Sequence, residues 1–176
     1  MKDTIRGKAL VCGDAVLAYD IIPEKHWYVD AINEETMGPW AFEEFVPGFE
    51  NKPYALRDAG YTIIVGGKGF GGGGKSIEHP MYAMKGAGVQ IVVAESFSRY
   101  NFRNSIDKGL PVIQCDGISG LAKTDDELVI QMKEGLITNP HTGESLHFEP
   151  LSPFVMQLLD AGGLMEYTKN KLNRKG

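Results

Sequence analysis

The sequence predicts an α/β fold: a central parallel sheet with crossover helices, followed by an antiparallel meander. Three runs rich in β-branched residues, "YTIIVGG" (61–67), "VQIVVAES" (89–96) and "LPVIQCD" (110–116), read as strands. Between them lie two helix-patterned stretches, "MYAMKGAG" (81–88) and "FSRYNFRNSIDKG" (97–109). Strands joined through a helix come back parallel, by right-handed crossovers. The texture then changes. "DELVIQMKEGLITNPHTGESLHFEPL" alternates apolar and polar residues, with turns at 133–135 and 139–143, which is the pattern of adjacent antiparallel strands.

The other elements follow in chain order. "KALVCGD" (8–14) is a strand ending in a Gly-Asp turn. "YDIIPEKHW" (19–27) is limited by Pro23 to a short strand ahead of that proline. Residues 26–50 read as a long loop with one short helix, and their aromatics (Trp27, Tyr28, Trp40, Phe42, Phe45) mark it as contact-making. Helix 81–88 closes at Gly86 or Gly88, and helix 97–109 ends at Gly109 with Pro111 beyond. "PFVMQLLDAGGLMEYTKNKL" (153–172) is an amphipathic helix broken at Gly162-Gly163. No repeat or linker interrupts the chain, so residues 1–176 read as one domain.

Composition narrows the function. With 43% hydrophobic residues the chain can bury a sizeable core. A net charge of −5 argues against a nucleic-acid binder, which needs a basic face. No run of 18 apolar residues is present to span a membrane, and the N-terminus carries no signal-peptide pattern. Cys12 and Cys115 each end an apolar run and read as buried free thiols, in keeping with a cytoplasmic protein.

"GFGGGGKS" (69–76) satisfies the phosphate-binding pattern G-x-x-x-x-G-K-[ST]. Several features oppose that reading. Gly66, Gly67 and Lys68 separate strand from motif, where a P-loop leaves its strand directly. A helix already running at Lys75 would place Pro80 where its missing N–H costs about 3 kcal/mol; a start near 77–79 puts Pro80 in the first turn. The strand 89–96 ends in Glu95 rather than a magnesium-binding Asp, and no base-recognition motif follows. What survives is the physics. Successive glycines can aim backbone N–H groups at an anion, the next helix adds its positive end, and Lys75 adds a charge. A carboxylate suits such a site as well as a phosphate does. A glycine turn with a solvated Lys75 is the bland alternative.

The wording of the chain resembles one family, the small subunit of 3-isopropylmalate dehydratase, the separate-chain counterpart of the aconitase swivel domain. "GDAVLAYDIIP" is similar to G-D-D-I-D-T-D-Q-I-I-P, and "GGKGFGGGGKSIEHPMYAMKGAGVQIVVAESFSRYNFRNSIDKGLPVI" to G-K-N-F-G-C-G-S-S-R-E-H, then S-F-A-R-I-F-Y-R-N-A-I-N-N-G-L-P. The resemblance runs from about residue 7 to 170. It implies a swivelling β/β/α domain and a hydro-lyase acting on a 2-hydroxy di- or tricarboxylate, as in leucine biosynthesis. It also implies a partner: a large subunit whose [4Fe-4S] cluster binds the substrate hydroxyl as a Lewis acid. Two cysteines are too few to hold that cluster here, so the isolated chain is expected to be inactive, and to form at most a homo-oligomer on its own.

In the family the Ser-Ser-Arg loop supplies the proton-abstracting base and grips a carboxylate. Counting back from Glu78-His79, the first Ser falls on Lys75, the second on Ser76, which is kept, and the Arg on Ile77. The D-T-D of the opening becomes Leu17-Ala18-Tyr19, with Asp20 one place later. Losing Arg removes a bidentate clamp. The resemblance thus offers Ser76 and Lys75 as catalytic residues, either Ser76 as base with Lys75 as carboxylate grip or Lys75 itself as base. Gly72, Gly73, Gly74, Lys75 and Ser76 become substrate-binding candidates, with His26 and Trp27 where the family carries its substrate-sensing loop. Glu78 and His79 read as capping and packing groups, and Arg99 and Arg103 as structural ion pairs or a subunit contact. A P-loop nucleotide binder and a non-catalytic stabilising paralogue are the competing readings.

Overall fold

The computed structural model describes residues 2–73 and 77–173. One sheet runs β4-β3-β2-β1-β5-β6-β7. Its strands are β1 (Thr4–Gly13), β2 (Tyr61–Gly66), β3 (Ile91–Ala94), β4 (Val112–Gln114), β5 (Glu127–Gln131), β6 (Leu136–Thr138) and β7 (Ser145–His147). β1 to β4 are mutually parallel, and β5, β6 and β7 are antiparallel, so both expected halves form. β1 belongs to both. Its first half, Thr4 to Lys8, pairs with β5; from Lys8 to Gly13 it pairs with β2, with a register shift at Lys8.

Side chains alternate along the parallel strands because successive Cβ atoms leave opposite faces. Leu10, Ile64, Val92 and Val112 point to the helix side, where they join Met84, Ile106 and Leu158. Ala9, Ile63, Val65, Ile91, Val93 and Ile113 point the other way and meet Ile118, Leu128, Ile130 and Ile137. The antiparallel half therefore curls over the parallel half. Both faces are buried, which explains why the sequence shows unbroken apolar runs there rather than alternation. Each such side chain contributes about 1.5–3 kcal/mol on burial.

The helices are α1 (Ala18–Ile21), α2 (Glu34–Met37), α3 (Ala55–Asp58), α4 (His79–Gly86), α5 (Arg99–Asp107), α6 (Ile118–Leu121), α7 (Pro153–Ala161) and α8 (Leu164–Asn173). The expected break between α7 and α8 occurs at Gly162 and Gly163, both at positive φ. The strand expected ahead of Pro23 is instead the single turn α1. The Asp20 carboxylate accepts the Leu17 N–H at 2.7 Å and closes that turn, with Ile21 and Ile22 sealed beneath. A short apolar run is ambiguous between strand and helix, and the local cap decides it. Residues 26–50 hold α2, as expected, and a 3₁₀ turn at Gly38–Trp40, and another 3₁₀ turn, Glu24–His26, leads into them. Trp27 and Phe42 are buried and Trp40 and Phe45 pack on the helix-side core, but Tyr28 stands 82% exposed. Among the described residues no helix is long and apolar enough to cross a membrane.

α4 starts at His79 with Pro80 in its first turn, where the lost N–H has no intrahelical partner to miss. Its far end crosses this 26–50 segment at close range: a Cβ on Gly86 would collide with the Glu34 carbonyl, and Lys85 pairs with Glu34 at 2.7 Å. Gly86→Ala should therefore force the two helices apart and cost about 1–3 kcal/mol, read as a lower urea midpoint with unchanged slope.

Candidate active site

Because β1 to β4 are parallel, their C-terminal ends share one edge, and the connections 14–17, 67–73 and 95–98 gather there. This is where open parallel sheets place their sites. The glycine loop after β2 is tied to both neighbours. The Gly67 N–H donates to Gly13 O at 2.6 Å and the Lys68 N–H to Asp14 Oδ1 at 2.7 Å. Gly69 donates to Ser96 Oγ at 2.9 Å and Phe70 to Ser96 O at 2.9 Å. Gly71 and Gly72 both donate to Val16 O, at 2.7 and 3.2 Å. Return bonds run from Ala18 N–H to Gly72 O (2.9 Å), Ser98 N–H to Phe70 O (2.9 Å) and Ser98 Oγ to Gly71 O (2.7 Å).

Six consecutive amides, 67 to 72, are thus already used by the protein. The expected anion nest does not form over that stretch, Gly72 included. The glycines serve close approach instead: at Gly71, with φ +73°, any Cβ would collide with the Asn101 side chain. A P-loop keeps such amides free for phosphate, and its helix begins at the Lys-Ser pair, whereas α4 begins at His79.

Gly73 is exposed and lies against the Tyr19 ring. Gly74, Lys75 and Ser76 lie outside the described residues. Around the loop the walls are apolar. Leu17 bridges to Gly72. Tyr19 stacks on Trp27 at 4.9 Å, and Trp27 meets His79 at 5.3 Å while its Nε1 donates to Ile22 O at 3.0 Å. Ile77, where the family motif has Arg, packs on the helix-side core. Burial lowers the His79 pKa despite a hydrogen bond to the Trp27 backbone, which keeps the ring neutral near pH 7.

Trp27 is therefore a wall beside the loop, buried rather than solvent-facing. His26 is engaged elsewhere: it stacks on Trp40 at 4.4 Å and its Nε2 lies 2.6 Å from Glu43 Oε2. Glu43 is only 2% exposed and also receives Lys25 at 3.0 Å and the Asn51 N–H at 2.9 Å. Burial pushes its pKa up, but the bonds from His26, Lys25 and Asn51 outweigh that and hold it below the ordinary value. Glu78, at the N-cap of α4, makes no side-chain cap and instead pairs with Lys108 at 2.8 Å. Arg99 and Arg103 are exposed and make no ion pair among the described residues, so the expected structural ion pairs are not formed there. Asn101 carries no signal in the sequence, and Tyr19 stands there only as a departure from the family opening; the backbone that brings them to Gly71 and Gly73 gives them their place at the loop.

Cys12 and Cys115 are both free. Burial, helped by Asp20, pushes the Cys12 thiol up to about 12, and burial with Asp116 and Glu95 pushes Cys115 up to about 11. Both stay protonated, and they pack into the two different cores. Among the described residues no three His, Cys, Asp or Glu side chains gather as metal ligands.

A curled mixed sheet with a glycine loop stitched across its parallel edge defines a class, the aconitase swivel domain, and residues 39–116 match the aconitase C-terminal domain family. The 3-isopropylmalate dehydratase small subunit of Pyrobaculum calidifontis is 40% identical over 95% of this chain and 98% of its own length. The isopropylmalate/citramalate isomerase small subunit of Methanocaldococcus jannaschii is 39% identical, with 98% of each chain covered. The crystal structure of a 3-isopropylmalate dehydratase from Methanocaldococcus jannaschii superposes with TM-score 0.83 at 26% identity, over 98% of this chain and 99% of that one. The chain belongs to the 3-isopropylmalate dehydratase small-subunit family.

Two expectations follow from the site. The Glu43 stabilisation is present above the unfolded glutamate value of 4.5 and is lost as pH falls through the lower folded value. Thermal melts from pH 7 down to 3 should show wild type losing stability more steeply than Glu43→Gln, which starts about 1–3 kcal/mol weaker at pH 7. Separately, Mg-ATP should leave the melting temperature unchanged, since a true site at a hundred times its Kd would add about 2.7 kcal/mol.

Proposed function

We propose that this chain is the small subunit of an aconitase-type hydro-lyase, acting with a large subunit in the dehydration and rehydration of a 2-hydroxy dicarboxylate. The observation that carries the proposal is the glycine loop: it is anchored by six internal amide bonds, 67 to 72, and leads directly to Lys75 and Ser76. The residues here do not fit an iron–sulfur cluster, because two cysteines, packed into different cores, fall short of the thiolate ligands it needs; the cluster is assigned to the partner. Leucine biosynthesis in the cytoplasm is the setting this reading supplies.

In this reading Ser76 removes the proton from the substrate carbon and returns it on rehydration, while Lys75 grips a carboxylate. A lysine beside a carboxylate is stabilised in its charged form, which suits a grip better than a base. The apolar walls, Leu17, Tyr19, Trp27 and Ile77, favour a hydroxy-diacid that carries a hydrocarbon substituent, of which 3-isopropylmalate is the first to try.

The test is co-purification with the large subunit, followed by a hydro-lyase assay on hydroxy-diacids of increasing side-chain length. The chain alone should be inactive and the complex active. In the complex, Ser76→Ala should lower kcat about 10²–10⁴-fold with KM little changed, and Lys75→Ala should mainly raise KM. The reverse pattern makes Lys75 the base. Full rates in both variants would move the chemistry off this loop, and an inactive complex would favour a stabilising paralogue.

A further inference from the structure

Beneath the glycine loop, α5 presents a buried amide with nothing to bond. Asn101 is 3% exposed, and among the described residues neither its Oδ1 nor its Nδ2 has a hydrogen-bond partner. Its backbone N–H is held by Ser98 Oγ at 3.2 Å, and the same hydroxyl donates to Gly71 O at 2.7 Å, so the helix start and the loop share one hydrogen-bonded joint. The side chain lies directly under Gly71, the position at which any Cβ would collide with it. At the far end of the loop the pattern repeats, since His79 Nδ1 is also buried without a partner among the described residues.

Buried polar atoms are nearly always paired, because leaving one bare forfeits its hydrogen bonds to water. A leucine-sized apolar side chain would fill the same space without that cost. An orphaned amide pressed against a functional loop therefore points to a second arrangement of that loop in which the amide is satisfied. We propose that Asn101 is a positioning residue: when the large subunit docks, its side-chain amide bonds the backbone of Gly71–Gly73 and sets the loop that carries Lys75 and Ser76. This rests on the hydro-lyase reading above. Asn101 touches no reacting atom in it; it acts through the loop.

The test uses the reconstituted two-subunit complex and the variant Asn101→Leu. The variant chain should unfold at a denaturant concentration equal to or above that of wild type, since two bare atoms have gone. In the complex, kcat should fall at least about tenfold with KM and large-subunit affinity little changed, because a misplaced base affects the transition state more than binding. Hydrogen exchange on the wild-type protein is the second measurement: the amides of Gly71 to Gly73 should slow at least about tenfold when the large subunit binds. An unchanged kcat in Asn101→Leu would overturn the proposal, as would parallel loss of kcat and stability. If the variant fails to fold, unchanged exchange at Gly71 to Gly73 overturns it alone. A wild-type complex without hydro-lyase activity would sink the functional reading instead, with exchange still deciding whether Asn101 engages the loop.

Discussion

β1 is the member on which the rest is assembled. Ten residues long, it gives its first half to an antiparallel partner and its second half to a parallel one, changing register at Lys8. The strand thus joins the two halves of the sheet, and its alternating side chains enter both cores. At Gly7 the approach to Thr62 is so close that no side chain fits. The curl that lays the meander over the parallel strands follows from this sharing, and so does the location of the site, since β1 ends where the glycine loop must be received.

That reception is made of backbone. The loop spends its amides on the connections that follow β1 and β3, so its position depends on three strand ends being level and parallel. Glycine is needed because the neighbouring chains come too near for a Cβ, as Asn101 shows at Gly71. A run that reads in one dimension as phosphate-binding is, in three, a close-packed crossing. The motif and the geometry part company because a pattern of residue types does not state where their amides point.

The departures from the family motif acquire a common sense in space. Leu17 and Tyr19 in place of two acids, and Ile77 in place of arginine, are far apart in sequence yet stand around one loop. Each removes a polar or charged group from the same region. His79, kept neutral by burial, adds no charge either.

The sequence by itself determined the strand and helix order, the parallel-then-antiparallel division, the helix start that accommodates Pro80, the break at Gly162-Gly163 and the family. All of these rest on local pattern: β-branched runs, turn residues and backbone limits that act within a few positions. Tertiary structure alone decided that residues 18–21 form a helical turn, because the Asp20 cap and the core beneath Ile21 override the reading of a short apolar run. It also turned His26 towards Glu43 and Trp40 while placing its neighbour Trp27 beside the loop. And it brought Asn101 under Gly71, thirty positions away in sequence, because a hydrogen bond or a collision between distant residues has no signature in either one's own neighbourhood.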